Sequence, residues 1–281
     1  MIRVGTRGSA LALTQARWVA ERIEEETELV TITATGPVGD KSRWVTELER
    51  ALLDDRIDIA VHSAKDVPTE LPPGLELIAI PAREDPRDAI CGAPSLSALP
   101  SGARVGTSSL RRRAQLKALR DDLEVLPVHG NVDTRLRKLR DGEYDALVLA
   151  AAGLRRLGLE PEGLLDELVP AAGQGALAIE ACSGRALPDL VDPDATSAVS
   201  AERELVHALG ASCNTPVGAH ARAADGDELE LSAWVGLPDG SEWLSDRLRG
   251  GPDEIGHLVA ERLQATGAVD LLHRAERAVA P

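Results

Sequence analysis

"IRVGTRGSALALTQARWVAERI", residues 2–23, opens on an apolar strand, turns at Gly5 and Thr6, and continues into an amphipathic helix. "ARVGTSSLRRRAQLKALR", residues 103–120, repeats that order, with Val105, Gly106 and Thr107 standing where Val4, Gly5 and Thr6 stand. Each copy runs on into a second strand, "VTITATG" (30–36) or "LEVLPVHG" (123–130). A helix and a buried-type strand follow, in "TELERALLDDRIDIAVHSAKD" (46–66) and in "DTRLRKLRDGEYDALVLAAAG" (133–153). Strands alternating with helices predict mainly parallel sheets with right-handed crossovers. Two such units predict two similar α/β domains facing one another. In open α/β sheets ligands sit beyond the carboxyl ends of the strands, so the loops after the strands are where chemistry is expected.

Between the two copies, "PAREDPRDAICGAPSLSALPSGA" (81–103) is rich in proline and charge and reads as a separator. After "PAAGQGALAIEA" (170–181) the pattern changes. "DATSAVSAERELVHALG" (194–210) predicts a helix, and "ELELSAWVGLPDGSEWLSDRL" (228–248) alternates around a Pro-Asp-Gly turn and predicts a hairpin. "GPDEIGHLVAERLQATGAVDLLHRA" (251–275) predicts one last helix. This is the pattern of a smaller α+β domain, with Cys213 between its first helix and its sheet.

With 281 residues, 43% apolar and 27% charged, the chain has the composition of a soluble globular enzyme of two or three domains. No apolar run approaches the ~20 residues of a membrane span, and "MIRVGTRGSALAL" is not the pattern of a signal peptide, so a cytoplasmic protein is expected. The net charge of -15 argues against sequence-independent nucleic-acid binding. Lysine occurs only at Lys41, Lys65, Lys117 and Lys138. An acidic, lysine-poor surface suits a salt-rich cytoplasm, although high genomic GC content also favours arginine. The three cysteines, Cys91, Cys182 and Cys213, are far apart and lack zinc-ligand spacing, so neither a disulfide framework nor a metal is expected.

The strand-to-helix turns carry hydroxyls and guanidinium groups: Arg7 and Ser9 in "TRGS", and Thr107, Ser108, Ser109, Arg111 and Arg112 in "GTSSLRR". Helix N-termini with such groups bind anions. Helix capping accounts for the hydroxyls equally well, but arginine is disfavoured in a first turn. Arg135 and the Arg155–Arg156 pair each read singly as solvated helix residues, but together with the turn residues they predict a cationic cleft for a substrate bearing several carboxylates. At the end of "IDIAV" stand His62, Ser63, Lys65 and Asp66. Asp66 is either one half of a surface ion pair or a carboxylate that moves a proton or stabilises a developing cation. Cys213, in "GASCNTPVGAH" (210–220), sits among turn-forming residues that argue for an exposed loop, although a free cysteine is usually a small buried hydrophobe; spacing alone does not decide between that, a nucleophile and an attachment point.

Taken in order, "TRGS", "ELERALLDDRIDIAVHSAKDVP", "REDPRDA", "GTSSLRR", "GNVDTRL", "GEYDALVLAAAGLRRLG", "PAAGQGALAIE", "SAERELV" and "SCNTPVGA" resemble the porphobilinogen deaminase (hydroxymethylbilane synthase) family over nearly the whole chain. The resemblance implies two similar, doubly wound, periplasmic-binding-protein-like α/β domains plus a smaller C-terminal α+β domain. It places the first over residues 1–81 and 176–188, the second over 82–175 and the third over 189–281. It implies a transferase that joins four porphobilinogen units head to tail with loss of ammonia and then releases hydroxymethylbilane by hydrolysis. A dipyrromethane cofactor, attached to Cys213 through a thioether, would serve as primer. Asp66 matches the family's catalytic aspartate, which would stabilise the cationic azafulvene left by ammonia. Cofactor or substrate carboxylates would be held by Arg7, Ser9, Lys65, Thr107, Ser109, Arg111, Arg112, Arg135 and Arg156, with Gln174 lining the cleft. Lys41, Ser63, His129 and Asn131 are further substrate or lid candidates. The resemblance also favours a monomer.

Three departures stand out. His129 replaces the arginine usual before "GN"; "TGPVGDKSRW" (35–44) is shorter than the family's loop, with Lys41 and Trp44 at the ends of its motif; and Asn214 follows the cysteine where glutamine is common. An inactive relative is one reading of the first two. The rival from another class is a non-catalytic, two-lobed solute- or effector-binding protein for a polycarboxylate, which would give Cys213 and Asp66 no task.

Overall fold

A computed structural model describes residues 1–33, 42–211 and 215–279. In chain order these form β1 (Ile2–Arg7), α1 (Ala10–Ala20), β2 (Thr27–Ile32), α2 (Ser42–Leu53), β3 (Ile59–Ser63) and β4 (Leu75–Ala79). Next come β5 (Asp88–Cys91), β6 (Arg104–Gly106), α3 (Leu110–Leu119), β7 (Glu124–Leu126), α4 (Val132–Arg140), β8 (Ala146–Ala150), α5 (Ala151–Arg156) and β9 (Gly163–Leu165). Last are β10 (Leu177–Cys182), α6 (Pro193–Ala208), β11 (Val217–Ala223), β12 (Leu229–Gly236), β13 (Trp243–Gly250), α7 (Ile255–Ala265) and α8 (Ala268–Val279). The chain divides into two compact units, Met1–Glu84 with Gly175–Thr196, and Asp85–Gln174 with Ser197–Pro281.

The first unit holds a sheet in the order β2-β1-β3-β10-β4, and the second holds one in the order β7-β6-β8-β5-β9. The two orders follow one plan. In each, the opening strand of the sequence repeat pairs in parallel with its two neighbours. The next strand along, β10 or β5, runs antiparallel to both of its own neighbours. Four of the five strands in each sheet therefore run the same way, as expected of a mainly parallel sheet, and the single reversed strand makes the sheet mixed. The reason is the chain path: β5 begins just after the link that leaves the first unit and β10 just after the link that returns, so no crossover helix dictates their direction. "PAREDPRDAICGAP" thus contains a fully buried strand, not only a separator.

Helices cover both faces of each sheet. Along β3, Ile59 and Val61 pack with Ala16 and Val19 of α1, while Ala60 points the other way to Leu48, Ala51 and Leu52 of α2. In the second sheet Val105 and Val148 meet Leu116 of α3, and Leu147 and Leu149 meet Leu154 of α5 with Leu136 and Leu139 of α4. Each fully buried Leu, Ile or Val contributes about 1.5–3 kcal/mol. The repeat extends to polar detail. The Arg3 backbone N–H donates to Asp58 at 2.7 Å, and the Arg104 N–H donates to Asp145 at 2.7 Å, each with a guanidinium bond to the same carboxylate. Gly5 and Gly106 share a further requirement: a Cβ would lie 2.2 Å from Ile57 Cδ1 at one and 2.5 Å from Leu147 Cδ2 at the other.

The second unit also contains an antiparallel sheet in the order β11-β12-β13. Alternate residues Val217, Ala219, Leu231 and Val235 pack with Leu205 of α6, Val259 and Leu263 of α7 and Leu271 of α8. The predicted hairpin is β12–β13, and the strand before it is β11. The single last helix expected from the sequence is two, α7 and α8, because the chain turns at Gly267 with φ of 99°. The architecture is two similar α/β domains, each wound on both faces, and a smaller α+β domain.

Candidate active site

In the first unit, the carboxyl ends of β1 and β3 open onto a cavity of about 70 Å³, lined among others by Arg7, Ser9, Gln15, Trp44, Ser63 and Asp66. Ser9 caps α1, its Oγ accepting the Ala12 N–H at 3.3 Å. The capping account of that hydroxyl is therefore correct, and it leaves Ser9 in the cavity wall as well. Buried Gln15, a residue that the sequence did not single out, donates from Nε2 to Ser63 Oγ at 3.0 Å and fixes that hydroxyl.

Asp66 ends a short 3-10 turn directly after β3, with Lys65 beside it. Arg7 lines the same cavity. Burial lowers the Arg7 pKa, the Asp66 charge opposes that, and nearby Arg43 adds to it. The Arg7 guanidinium lies 4.8 Å from the centre of the Trp44 ring, which is also 5.1 Å from the Arg43 guanidinium. Cation–π contacts of this kind contribute about 0.5–2 kcal/mol. Arg7 Nε is buried with no hydrogen-bond partner among the described residues. A buried donor without an acceptor is costly, and an anion entering the cavity would relieve it.

The second unit presents its own set at the start of α3. Ser109 caps that helix, accepting the Arg112 N–H at 3.4 Å, and Thr107 Oγ1 accepts the Ser109 N–H at 3.3 Å. Ser108 donates to the Val128 carbonyl. Arg111 and Arg112 turn inward rather than standing free. Arg111 donates to Asp88 at 2.6 and 3.1 Å and to the Val169 carbonyl at 2.8 Å. Arg112 donates to Asp88 at 2.8 Å, to the Val148 carbonyl at 3.0 Å and to Gln174 at 3.3 Å. Gln174 in turn donates to Asp88 at 2.8 Å and to the Pro86 carbonyl at 2.7 Å. Burial opposes charge on Asp88, but the Arg111 and Arg112 guanidinium groups outweigh it and hold its pKa below the usual carboxylate range.

Arg135 is half-buried on α4 and donates to the Gly130 carbonyl at 2.8 Å. Burial first, and then the charge of Arg112, lower its pKa. His129 and Asn131 are exposed at the start of α4. Arg155 pairs with Asp85 at 3.1 Å, and half-buried Arg156 follows it at the end of α5. Cys213 and Lys41 lie outside the described residues. Asp88 is the main residue that sequence reasoning missed. Its signal was the apolar run Ala89-Ile90-Cys91 that follows it, which marks a strand inside the supposed separator.

The porphobilinogen deaminase dipyromethane cofactor binding domain matches residues 2–187, and the porphobilinogen deaminase C-terminal domain matches residues 196–265. A porphobilinogen deaminase of Roseiflexus castenholzii is 45% identical over 96% of this chain and 98% of its own. One of Thiobacillus denitrificans is 46% identical over 95% of this chain and 96% of its own. Among solved structures, a putative methionine-binding lipoprotein of Bacillus subtilis aligns with 65% of this chain and 83% of its own, at 13% identity and a TM-score of 0.41. Two family domains in sequence and relatives matched nearly end to end decide the assignment: the chain belongs to the porphobilinogen deaminase family.

Proposed function

We propose that the protein joins four porphobilinogen molecules head to tail, with loss of ammonia, on a dipyrromethane primer carried by Cys213, and releases hydroxymethylbilane by hydrolysis. The observation that carries this reading is the cavity in which Asp66 stands with Arg7, whose buried Nε has no acceptor among the described residues. A carboxylated pyrrole fits that chemistry, because it brings an anion for Arg7 and a ring N–H for Asp66. When bound, the primer supplies the pyrrole end to which the first substrate unit is joined.

The residues of this chain do the rest. Asp66 accepts the pyrrole N–H and stabilises the positive charge that develops as ammonia leaves. Arg7, Ser9, Lys65 and Ser63 hold carboxylates and ring edges in the first unit. Thr107, Ser109, Arg135 and Arg156 hold them in the second, with Lys41, His129 and Asn131 as further substrate contacts. Arg111 and Arg112 belong to the same set, with Asp88 and Gln174 keeping their guanidinium groups rigid instead of free to swing. The three-domain division with boundaries near residues 81, 175 and 188 is the proposed frame. The protein is further proposed to act in the cytoplasm, as a monomer adapted to salt. No helix among the described residues is long and apolar enough to cross a membrane.

The test is the intact mass of the purified protein compared with that of Cys213→Ser. A mass excess of two linked pyrrole units, absent from the variant, is expected. If the wild-type chain gains nothing even after porphobilinogen is added, while remaining folded, the primer assignment is wrong.

A further inference from the structure

Beneath the Asp66 cavity lies a group of buried titratable side chains that the reaction as described does not use. Strand β10 runs antiparallel to β3, with Ala178 opposite His62 and Glu180 opposite Ala60. Glu180 and His62 are therefore diagonal neighbours on one face of the sheet. Their Oε2 and Nε2 atoms are 2.9 Å apart, His62 is 5% exposed, and Glu180 is fully buried. Helix α2 covers this face and contributes buried Glu49. Burial raises the Glu49 pKa, the Glu180 charge adds to that, and His62 opposes it. Glu180 Oε1 has no hydrogen-bond partner among the described residues. Apolar side chains would pack this face at less cost than two carboxyl groups and an imidazole. His62 also lines the cavity beside Ser63 and Asp66. One ring thus joins the buried acids to the cavity wall.

We propose that Glu180 and Glu49 are positioning residues that act on the Asp66 cavity through His62. Glu180 accepts the Nε2–H of His62 and so fixes the plane and the tautomer of the ring in the wall. Glu49 supplies the second carboxyl that sets the charge behind that ring. An outer carboxylate orienting a functional imidazole is a recurrent device. The other charged or titratable groups near this face are Arg7 at the end of β1, Asp66 beyond β3, Arg43 of α2 beside Trp44, and Cys182 of β10, whose Sγ donates to the Leu52 carbonyl of α2, whereas β2 contributes Val30 and Ile32. The inference rests on Asp66 marking the place of reaction.

The experiment measures steady-state porphobilinogen consumption by the full-length, primer-loaded protein across pH. The variants are Glu180→Gln, Glu49→Gln, His62→Gln, the double variant Glu180→Gln/His62→Gln, and Asp66→Asn. For Glu180→Gln, kcat is expected to fall about 10–100-fold while KM stays within about 3-fold, because no substrate carboxylate loses a partner. The double variant should be no worse than its poorer single, since both changes act through one ring. In Glu180→Gln the acid limb of the kcat profile should move to lower pH, because Glu49 loses the neighbouring charge that hinders its ionisation. Additive losses, an unmoved acid limb, or an unchanged kcat in both Glu180→Gln and Glu49→Gln would overturn the proposal. If Asp66→Asn retains turnover, the reading of the cavity itself fails. If Asp66→Asn is inactive and the glutamate variants are normal, only the positioning role fails.

Discussion

Asp88 has no exposed surface, yet it carries a charge that Arg111, Arg112 and Gln174 all address. Removing one partner from such a buried network leaves the others without compensation. Asp88→Asn should therefore cost about 3–5 kcal/mol in urea unfolding. The depressed Asp88 pKa fixes the sign of a pH effect as well. The stabilisation is fully present above the ordinary carboxylate range and is lost as pH falls through that range toward the lower folded value. Acid unfolding of wild type should begin below about pH 4, and Asp88→Asn should lack that component. At Asp66 the expectation is chemical rather than structural: Asp66→Asn should lose about 100-fold or more in turnover with an unchanged melting temperature. Residue types and turns put the Arg7, Ser9 and Ser109 positions at strand-to-helix turns in the sequence, whereas the pattern around Asp66 left its task open and only the family resemblance gave it one. Whether a guanidinium points to substrate or to a buried carboxylate depends on a partner distant in the chain, as Asp88 is for Arg111.

At the scale of elements, β1–α1 and β6–α3 could be read directly, because strand period, glycine turn, serine cap and helix are all local signals. Ser109→Ala should lower stability by about 1 kcal/mol in thermal or urea unfolding, the usual cost of losing an N-cap. Strand β5 had only the short apolar run Ala89-Ile90-Cys91 as its signal, because a four-residue strand in a proline-rich stretch shows no period, and it exists through its pairing with β8 and β9. The break between α7 and α8 had only Gly267 as its signal, and glycine inside a helical pattern is often tolerated. A Cβ there meets nothing within 4 Å, so Gly267→Ala tests backbone strain alone and should cost about 1 kcal/mol. A negligible cost would mean that packing of α7 against α8, rather than the glycine, makes the break.

Over the whole molecule the net charge of -15 is the excess of carboxylates left beside many surface ion pairs such as Arg262–Asp246 and Arg274–Glu242. Salt screens such pairs and also screens the self-repulsion. Because exposed pairs contribute only about 0–1 kcal/mol each, repulsion should dominate. Melting temperature should therefore rise as salt increases from about 0.1 M toward about 1 M, where the Debye length shrinks from about 10 Å to about 3 Å. A fall would show that the ion pairs outweigh the repulsion. By itself the sequence determined the internal repeat, the α/β class and the family, because local periods, turns and ordered motifs are properties of contiguous residues. Only the tertiary structure decided the antiparallel place of β5 and β10, the pinning of Arg111 and Arg112 by Asp88, and the meeting of His62 with Glu180. Those contacts join residues far apart in the chain, and their energies come from burial and hydrogen-bond geometry that no local pattern encodes.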